Sequence, residues 1–180
     1  YFLLSEAICN LTARAGRRCY HQVMREEIFN RLGLHDTGFT FDPVVRPRLA
    51  APNFKGRPAF AMPDWLQGSA DVVSTVVDLF KWNAALMGGR LLSPAMQEAM
   101  FSDAARVDVW TYYGFGWFIK HIDDRDIYFH SGAVPGYTAF NMIERQHNGE
   151  WVSVSILANN EGVEGLDDLA DRIASMAWKK

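Results

Sequence analysis

The sequence predicts an α+β fold: a helical and loop subdomain over residues 1–110, then an antiparallel β-sheet with a C-terminal covering helix over residues 111–180. Three observations predict it. Apolar residues recur at helical spacing along the first third of the chain and again near residue 80. Near residue 110 the period shortens from about 3.6 to about 2. Asn148-Gly149 sits between two alternating runs, which is the strongest short signal for a hairpin.

The elements follow in order. Residues 1–16 read as an amphipathic helix on Phe2, Leu4, Ala7, Ile8, Leu11 and Ala15, with Arg14 and Gly16 marking its end. A second helix covers 19–32 on Tyr20, Val23, Met24, Ile28 and Leu32. Gly33 ends it and apolar Leu34 folds back on it. Residues 36–66 carry Pro43, Pro47, Pro52, Pro58 and Pro63, which exclude long helices and central strands. Ser74-Thr75 with Asp78 form a capping box, and the helix they open stops at Gly88-Gly89. Ser93-Pro94 opens another, with Pro at the first helical position. Residues 113–120 and 125–130 read as paired strands, and 137–144 and 151–158 as a second pair. In the last strand Val152, Val154 and Ile156 share a face. A final helix over 166–178 carries Leu169, Ile173, Met176 and Ala177 toward the sheet.

Composition narrows the function classes. The chain has 180 residues, 49% hydrophobic, 13% aromatic and 22% charged, which excludes a disordered or low-complexity protein. The net charge of −3 and the lack of a Lys/Arg stripe argue against a nucleic-acid partner. No apolar stretch approaches the ~20 residues that span a bilayer, so no membrane span is expected. Cys9 and Cys19 read as small buried hydrophobes. The histidines His21, His35, His121, His130 and His147 form no metal-ligand pattern, and no Gly-rich phosphate loop or G-x-S-x-G elbow is present. No metal or organic cofactor is implied. Asp71, Asp78 and Asp103 read as caps or loop charges, and the tryptophans as core. The opening Tyr1-Phe2-Leu3-Leu4 reads as the interior of a helix, and the expectation is a fragment or a processed product.

The densest chemical signal is His130-Ser131-Gly132-Ala133-Val134-Pro135-Gly136-Tyr137. An ionisable ring, a hydroxyl and a glycine stand together at a strand end. Gly132 would let a ligand approach the backbone, and the Ala133 N–H could face a reacting oxygen. From these residues alone, a polar strand end before a turn is the favoured reading.

Six blocks in order resemble the serine β-lactamase-like family, which includes class C β-lactamases, D-alanyl-D-alanine peptidases and related esterases. Residues 1–8 resemble the helix after the family's Tyr-x-Asn motif. Residues 28–39, Ile-Phe-Asn-Arg-Leu-Gly-Leu-His-Asp-Thr-Gly-Phe, resemble I-F-x-P-L-G-M-x-D-T-x-F. Residues 68–79 resemble G-x-x-S-T-x-x-D-L. Tyr113-Gly114-Phe115-Gly116-Trp117 resembles Y-G-x-G-W, His130-Ser131-Gly132 with Gly136-Tyr137 resembles H-S-G-x-x-G-Y, and residues 156–160 resemble v-x-L-x-N.

The resemblance implies acyl transfer through a serine ester on an amide, ester or β-lactam carbonyl. By position His130 takes the first place of the third family motif and holds a substrate carboxylate or tunes the base. Ser131 hydrogen-bonds substrate, the Ala133 N–H supplies an oxyanion donor, and Gly136 and Tyr137 bind substrate. His in place of Lys leans the reading toward a peptidase or esterase. The family's nucleophile motif is missing: no serine is followed by Lys at the third position, and no tyrosine heads a Tyr-x-Asn. Both would lie upstream of Tyr1, so the chain alone is expected to be inactive. The alternative is a non-catalytic member that binds peptidoglycan peptides or partners. The resemblance also implies an exposed strand edge and apolar face, and hence a homo-oligomer or an upstream segment of the same protein as partner, beside a small-molecule or peptide substrate. It extends to the chain the periplasmic or secreted setting common among family members.

Overall fold

The computed structural model describes residues 1–12, 19–54, 57–58 and 66–179. The expected end of the first helix at Arg14 and Gly16 lies outside the described residues, as does Trp65. The chain forms two compact units, residues 1–82 with 134–137 and 159–161, and residues 83–133 with 138–158 and 162–180.

The first unit opens with α1, Phe2–Thr12. Of its apolar stripe, Ile8 alone among the described large residues packs on the core. Phe2, Leu4 and Leu11 are exposed, and the face that packs is that of Ser5. The reason is close approach: a Cβ on Gly68 would lie 2.9 Å from the Ser5 Cβ, so small residues meet there. The Ser5 hydroxyl donates to the Phe2 carbonyl and accepts from Gln67 Nε2, which satisfies it.

The second helix is continuous over 20–32 but not uniform. It runs as α2, Tyr20–Val23, then a π-helical turn, Met24–Phe29, then α3, Asn30–Leu32. Gly33 ends it in the left-handed region at φ 66°, and the Leu34 N–H returns 2.8 Å to the Phe29 carbonyl. Tyr20, Phe29, Leu34 and Phe39 form the core of this unit, with Ile8, Met24 and Ile28 packed on it. Cys9 is half-buried and Cys19 is exposed, neither in a disulfide; the expected burial fails for Cys19. Cys9 Sγ accepts the Tyr20 N–H at 3.0 Å.

The proline-rich stretch contributes only two-residue strands. β1, Gly38–Phe39, pairs with β4, Val72–Val73, and β2, Asn53–Phe54, pairs with β3, Arg57–Pro58. Thr75 caps α4, Val76–Met87, by accepting the Asp78 N–H at 3.2 Å. Asp78 is 1% exposed. Its carboxylate accepts from Lys81 Nζ at 2.7 Å, the Asp36 N–H at 2.8 Å and Thr37 Oγ1 at 3.0 Å. Burial works to raise its pKa, but those donors outweigh burial and hold it below the ordinary carboxylate value. Asp71 likewise accepts from the Gly68 N–H and pairs with His21 Nε2 at 2.7 Å.

The second unit is built on one sheet of six strands. These are β5, Ala105–Arg106, β6, Tyr112–Tyr113, β7, Phe118–Ile122, β8, Arg125–Val134, β9, Tyr137–Gln146, and β10, Trp151–Ala158, in spatial order β10-β9-β8-β7-β6-β5. This arrangement of helices and an antiparallel sheet is α+β, as the sequence predicts. One expectation is corrected: residues 113–120 are two strands, not one. The chain turns at 114–117, where the Gly114 N–H donates to the Trp117 carbonyl at 2.9 Å.

Helix α5, Pro94–Met100, is capped by Ser93 as expected. The last helix, α6, Leu166–Ala177, covers the sheet. Leu166, Ala170 and Ala174 pack on Ile127, Phe140, Met142 and Val154, with Val152 and Ile156 beside them. Each of these large side chains contributes roughly 1.5–3 kcal/mol by burial. The expected facing is off by one position: α6 buries Leu166, Ala170 and Ala174, while Leu169, Ile173, Met176 and Ala177 are exposed. Small residues let the helix sit close to a bulky sheet surface. Asn83 and Asn141 exchange reciprocal amide bonds of 2.9 and 3.0 Å, so wholly buried Asn83 is satisfied.

Candidate active site

The pairing of β7 and β8 stops at Phe118↔Phe129. It stops because the chain leaves the sheet at 114–117. Gly116 has φ 87°, and a Cβ on Gly114 would lie 2.3 Å from the Met100 carbonyl oxygen, so neither position accepts a side chain without strain. The Tyr-Gly-Phe-Gly-Trp block is therefore a turn that shortens β7. β8 continues to Val134. Its residues His130, Ser131, Gly132 and Ala133 run on past the β7 register and are all exposed.

His130 is held on two sides. Nδ1 lies 2.7 Å from the Ser131 carbonyl oxygen, and Nε2 lies 3.1 Å from the Tyr113 hydroxyl. Its ring also packs at 5.3 Å on Phe118, which stacks on Phe129. Ser131 lines a groove of about 390 Å³ beside α6, together with Lys120, Phe129, Phe140 and Asp171. Burial, followed by neighbouring Glu144, Asp167 and Asp168, pushes the Asp171 carboxyl up, against the opposing pull of Lys120. Gly132 has room: a Cβ there would meet only the Ala139 Cβ at 3.8 Å, an ordinary contact. Nothing in the packing of the described residues calls for glycine at this position.

The two remaining sequence candidates fall in the first unit. Gly136 is buried at φ 86°; its N–H donates to Glu161 at 3.2 Å and its carbonyl accepts the Asn53 N–H at 3.2 Å. The Tyr137 hydroxyl donates to the Ala50 carbonyl at 2.6 Å, and burial raises its pKa. Their polar groups are engaged in tying the turn after β8 to the strap at 50–53.

A second ionisable cluster lies near the β7–β8 hairpin. His121 Nδ1 is 2.7 Å from Asp126 and its Nε2 is 3.0 Å from Asp103. Hydrogen bonding to Asp126, then to Asp103, raises the imidazole pKa against a smaller effect of burial. Asp126 also accepts from the Tyr128 hydroxyl, which burial pushes up to about 12. Among the described residues, no group of three or more His, Cys, Asp or Glu side chains could hold a metal ion. No helix among them is long and apolar enough to cross a membrane.

The family model described as Beta-lactamase matches residues 1–177. The chain belongs to the β-lactamase family. It is 40% identical over 97 residues to a human beta-lactamase-like protein, a match that covers 51% of this chain and 19% of that protein. It is 24% identical over 147 residues to the penicillin-binding protein PbpX of Bacillus subtilis, covering 78% of this chain and 35% of that one. Among solved structures, the D-amino acid amidase from Ochrobactrum anthropi SV3 shares the fold with a TM-score of 0.73 at 20% identity, over 97% of this chain and 56% of the amidase. A penicillin-binding protein from Bacillus halodurans matches with a TM-score of 0.66 at 19% identity, over 92% and 52%. The chain thus spans about half the length of these solved relatives. The α+β fold agrees with that membership.

Sequence reading missed the contact between Tyr113 and His130. The two stand 17 positions apart. Two hairpins bring them together through the pairings Tyr113↔Phe118 and Phe118↔Phe129, and neither residue alone signals the other.

Proposed function

We propose that this chain supplies the substrate-holding wall of a β-lactamase-like serine hydrolase that acts on amide or ester bonds through an acyl-serine intermediate. The observation that carries the proposal is the overhang of β8: four consecutive exposed residues, His130 to Ala133, beyond the point where β7 stops pairing. A strand edge of this kind offers backbone donors and acceptors to an extended substrate.

In the proposed reaction a serine Oγ from outside these 180 residues attacks the substrate carbonyl carbon. Its proton passes to a base and then to the leaving amine or alkoxide, the C–N or C–O bond breaks, and water later releases the acid from the ester. The Ala133 N–H would stabilise the tetrahedral oxyanion, and loss of such a donor commonly costs ~3 kcal/mol in the barrier. Gly132 leaves the backbone open to that oxygen. Ser131 would bind substrate through its hydroxyl, and His130 would orient a carboxylate or the base. Gly136 and Tyr137 would fix the turn in which they stand. The amidase and penicillin-binding relatives favour peptide-like amides as the substrate class. The chain by itself would be inactive, because it carries no Ser-x-x-Lys.

The test is substitution in a form of the protein extended upstream. His130→Ala and Ser131→Ala should lower amide or ester turnover at least tenfold without lowering the melting temperature. Unchanged kinetics in both variants would overturn the proposal.

A further inference from the structure

The two hydrogen bonds of His130 decide where its proton sits. A backbone carbonyl can only accept, so the Nδ1 that lies 2.7 Å from the Ser131 oxygen must carry the hydrogen. In the neutral ring Nε2 is then a bare acceptor, and the group facing it at 3.1 Å is the Tyr113 hydroxyl, which donates. Free histidine side chains favour the opposite tautomer in water, so this arrangement is imposed by the fold.

The fold is able to impose it. Tyr113 is paired on both sides, with Ala105 and with Phe118. The following residue, Gly114, is packed too tightly for any side chain. The Tyr113 ring meets the Phe118 ring edge-on at 4.8 Å, and His130 meets the same Phe118 at 5.3 Å. Phenol and imidazole thus share one aromatic shelf.

We propose that Tyr113 is the positioning residue of His130, its hydroxyl filling Nε2 so that the imidazole stands in the site as a fixed Nδ1–H tautomer. A further consequence concerns the ligand. When a proton is placed on Nε2, the bond reverses: Nε2–H donates to the phenol oxygen, and the phenol hydrogen is released to point elsewhere. The donor then offered to a substrate carboxylate or oxyanion is the Tyr113 hydroxyl, with His130 behind it. This role in acyl transfer rests on the hydrolase reading above; the tautomer does not.

The experiment is long-range proton–nitrogen NMR of the imidazoles in this chain at mildly alkaline pH, with His130→Ala to assign the signals. The expected wild-type spectrum shows Nδ1 protonated and Nε2 unprotonated at His130. In Tyr113→Phe the signals should move toward the averaged values of a free ring, while Tyr112→Phe, one residue away on the same strand, leaves them in place. The wild-type spectrum needs no variant, so a misfolded Tyr113→Phe would not rescue the proposal. An Nε2–H or averaged ring in the wild type, or a Tyr113→Phe spectrum identical to it, would overturn the assignment. In an extended form that turns over an amide, Tyr113→Phe should lower kcat roughly 5–10-fold, the scale of one lost hydrogen bond. An unchanged kcat there would overturn the catalytic half of the proposal. A fixed tautomer in a protein with no acyl transfer would support the assignment and count against the hydrolase reading instead.

Discussion

Replacing Asp78 by Ala removes one acceptor from three donors, and the structure says how each fares. The Asp36 N–H has no other partner among the described residues and becomes a poorly solvated orphan, at about 1–3 kcal/mol. Thr37 keeps a bond to Ser74 Oγ at 2.8 Å and loses less. Lys81 keeps the Gly33 carbonyl at 2.8 Å and is 38% exposed, so water screens most of its loss. Breaking a fully buried pair costs about 3–5 kcal/mol, and the partial exposure of Lys81 brings the expected figure to about 3 kcal/mol. For a chain of this length that corresponds to a fall in melting temperature of roughly 6–12 °C. Because the chain has two compact units, thermal melting should be joined by amide exchange at Leu79 and Asp36, which report the first unit directly. The pH dependence has a definite sign. The folded-state carboxyl lies below its ordinary value of 3.8, so its contribution is whole above that pH and is lost as pH falls through the lower folded value. Asp78→Ala should lack this acid-side loss. A cost below about 1 kcal/mol, or the same acid-side slope in the variant, would refute the reasoning.

Three other outcomes follow from the same structure. Gly132→Ala should leave stability unchanged or slightly raised, because its Cβ would meet only Ala139 at 3.8 Å, while turnover of an extended form falls; thermal melting beside kinetics checks both halves. His121→Gln should cost under about 1 kcal/mol, most of it at acid pH. The bridged, protonated ring stabilises fully below the ordinary imidazole value of 6.5 and loses that effect as pH rises through its raised folded value, so urea melts across pH should converge on the alkaline side. Finally, β10 is the last strand of the sheet and α1 exposes Leu3, Leu4 and Leu11, which predicts self-association; light scattering on a size-exclusion peak that reads a monomer would contradict it.

What the sequence made legible is what local chemistry dictates. The Asn148-Gly149 turn, the Thr75 cap, the Gly33 stop and the Ser93-Pro94 start are each written in a few adjacent residues, and the structure has them. Facing was harder. On α6 the large apolar residues suggested the buried side, but contact with a crowded sheet favours Ala170 and Ala174, and volume decides against Leu169 and Ile173. The strand expected over 113–120 is interrupted because the close contact at Gly114 and the positive φ of Gly116 make a turn. Asp71 and Asp78, read as ordinary caps or loop charges, are hubs that join segments more than 30 residues apart. That joining links the Leu-His-Asp-Thr and Ser-Thr-x-x-Asp blocks: Asp36, Thr37, Ser74 and Asp78 are one hydrogen-bonded cluster. Of the site, the exposed run 130–133 was legible, and the hold of Tyr113 on His130 was not, because it exists only once three strands are in register.

As proposed above, β8 would form one wall of a serine acyl-transfer site whose nucleophile comes from outside these 180 residues. The most direct measurement is intact mass after treating this chain, and a form extended upstream, with a fluorophosphonate and a fluorescent penicillin. The expected result is a covalent adduct on the extended form and none on this chain. An adduct on this chain alone, or none on either, would contradict it.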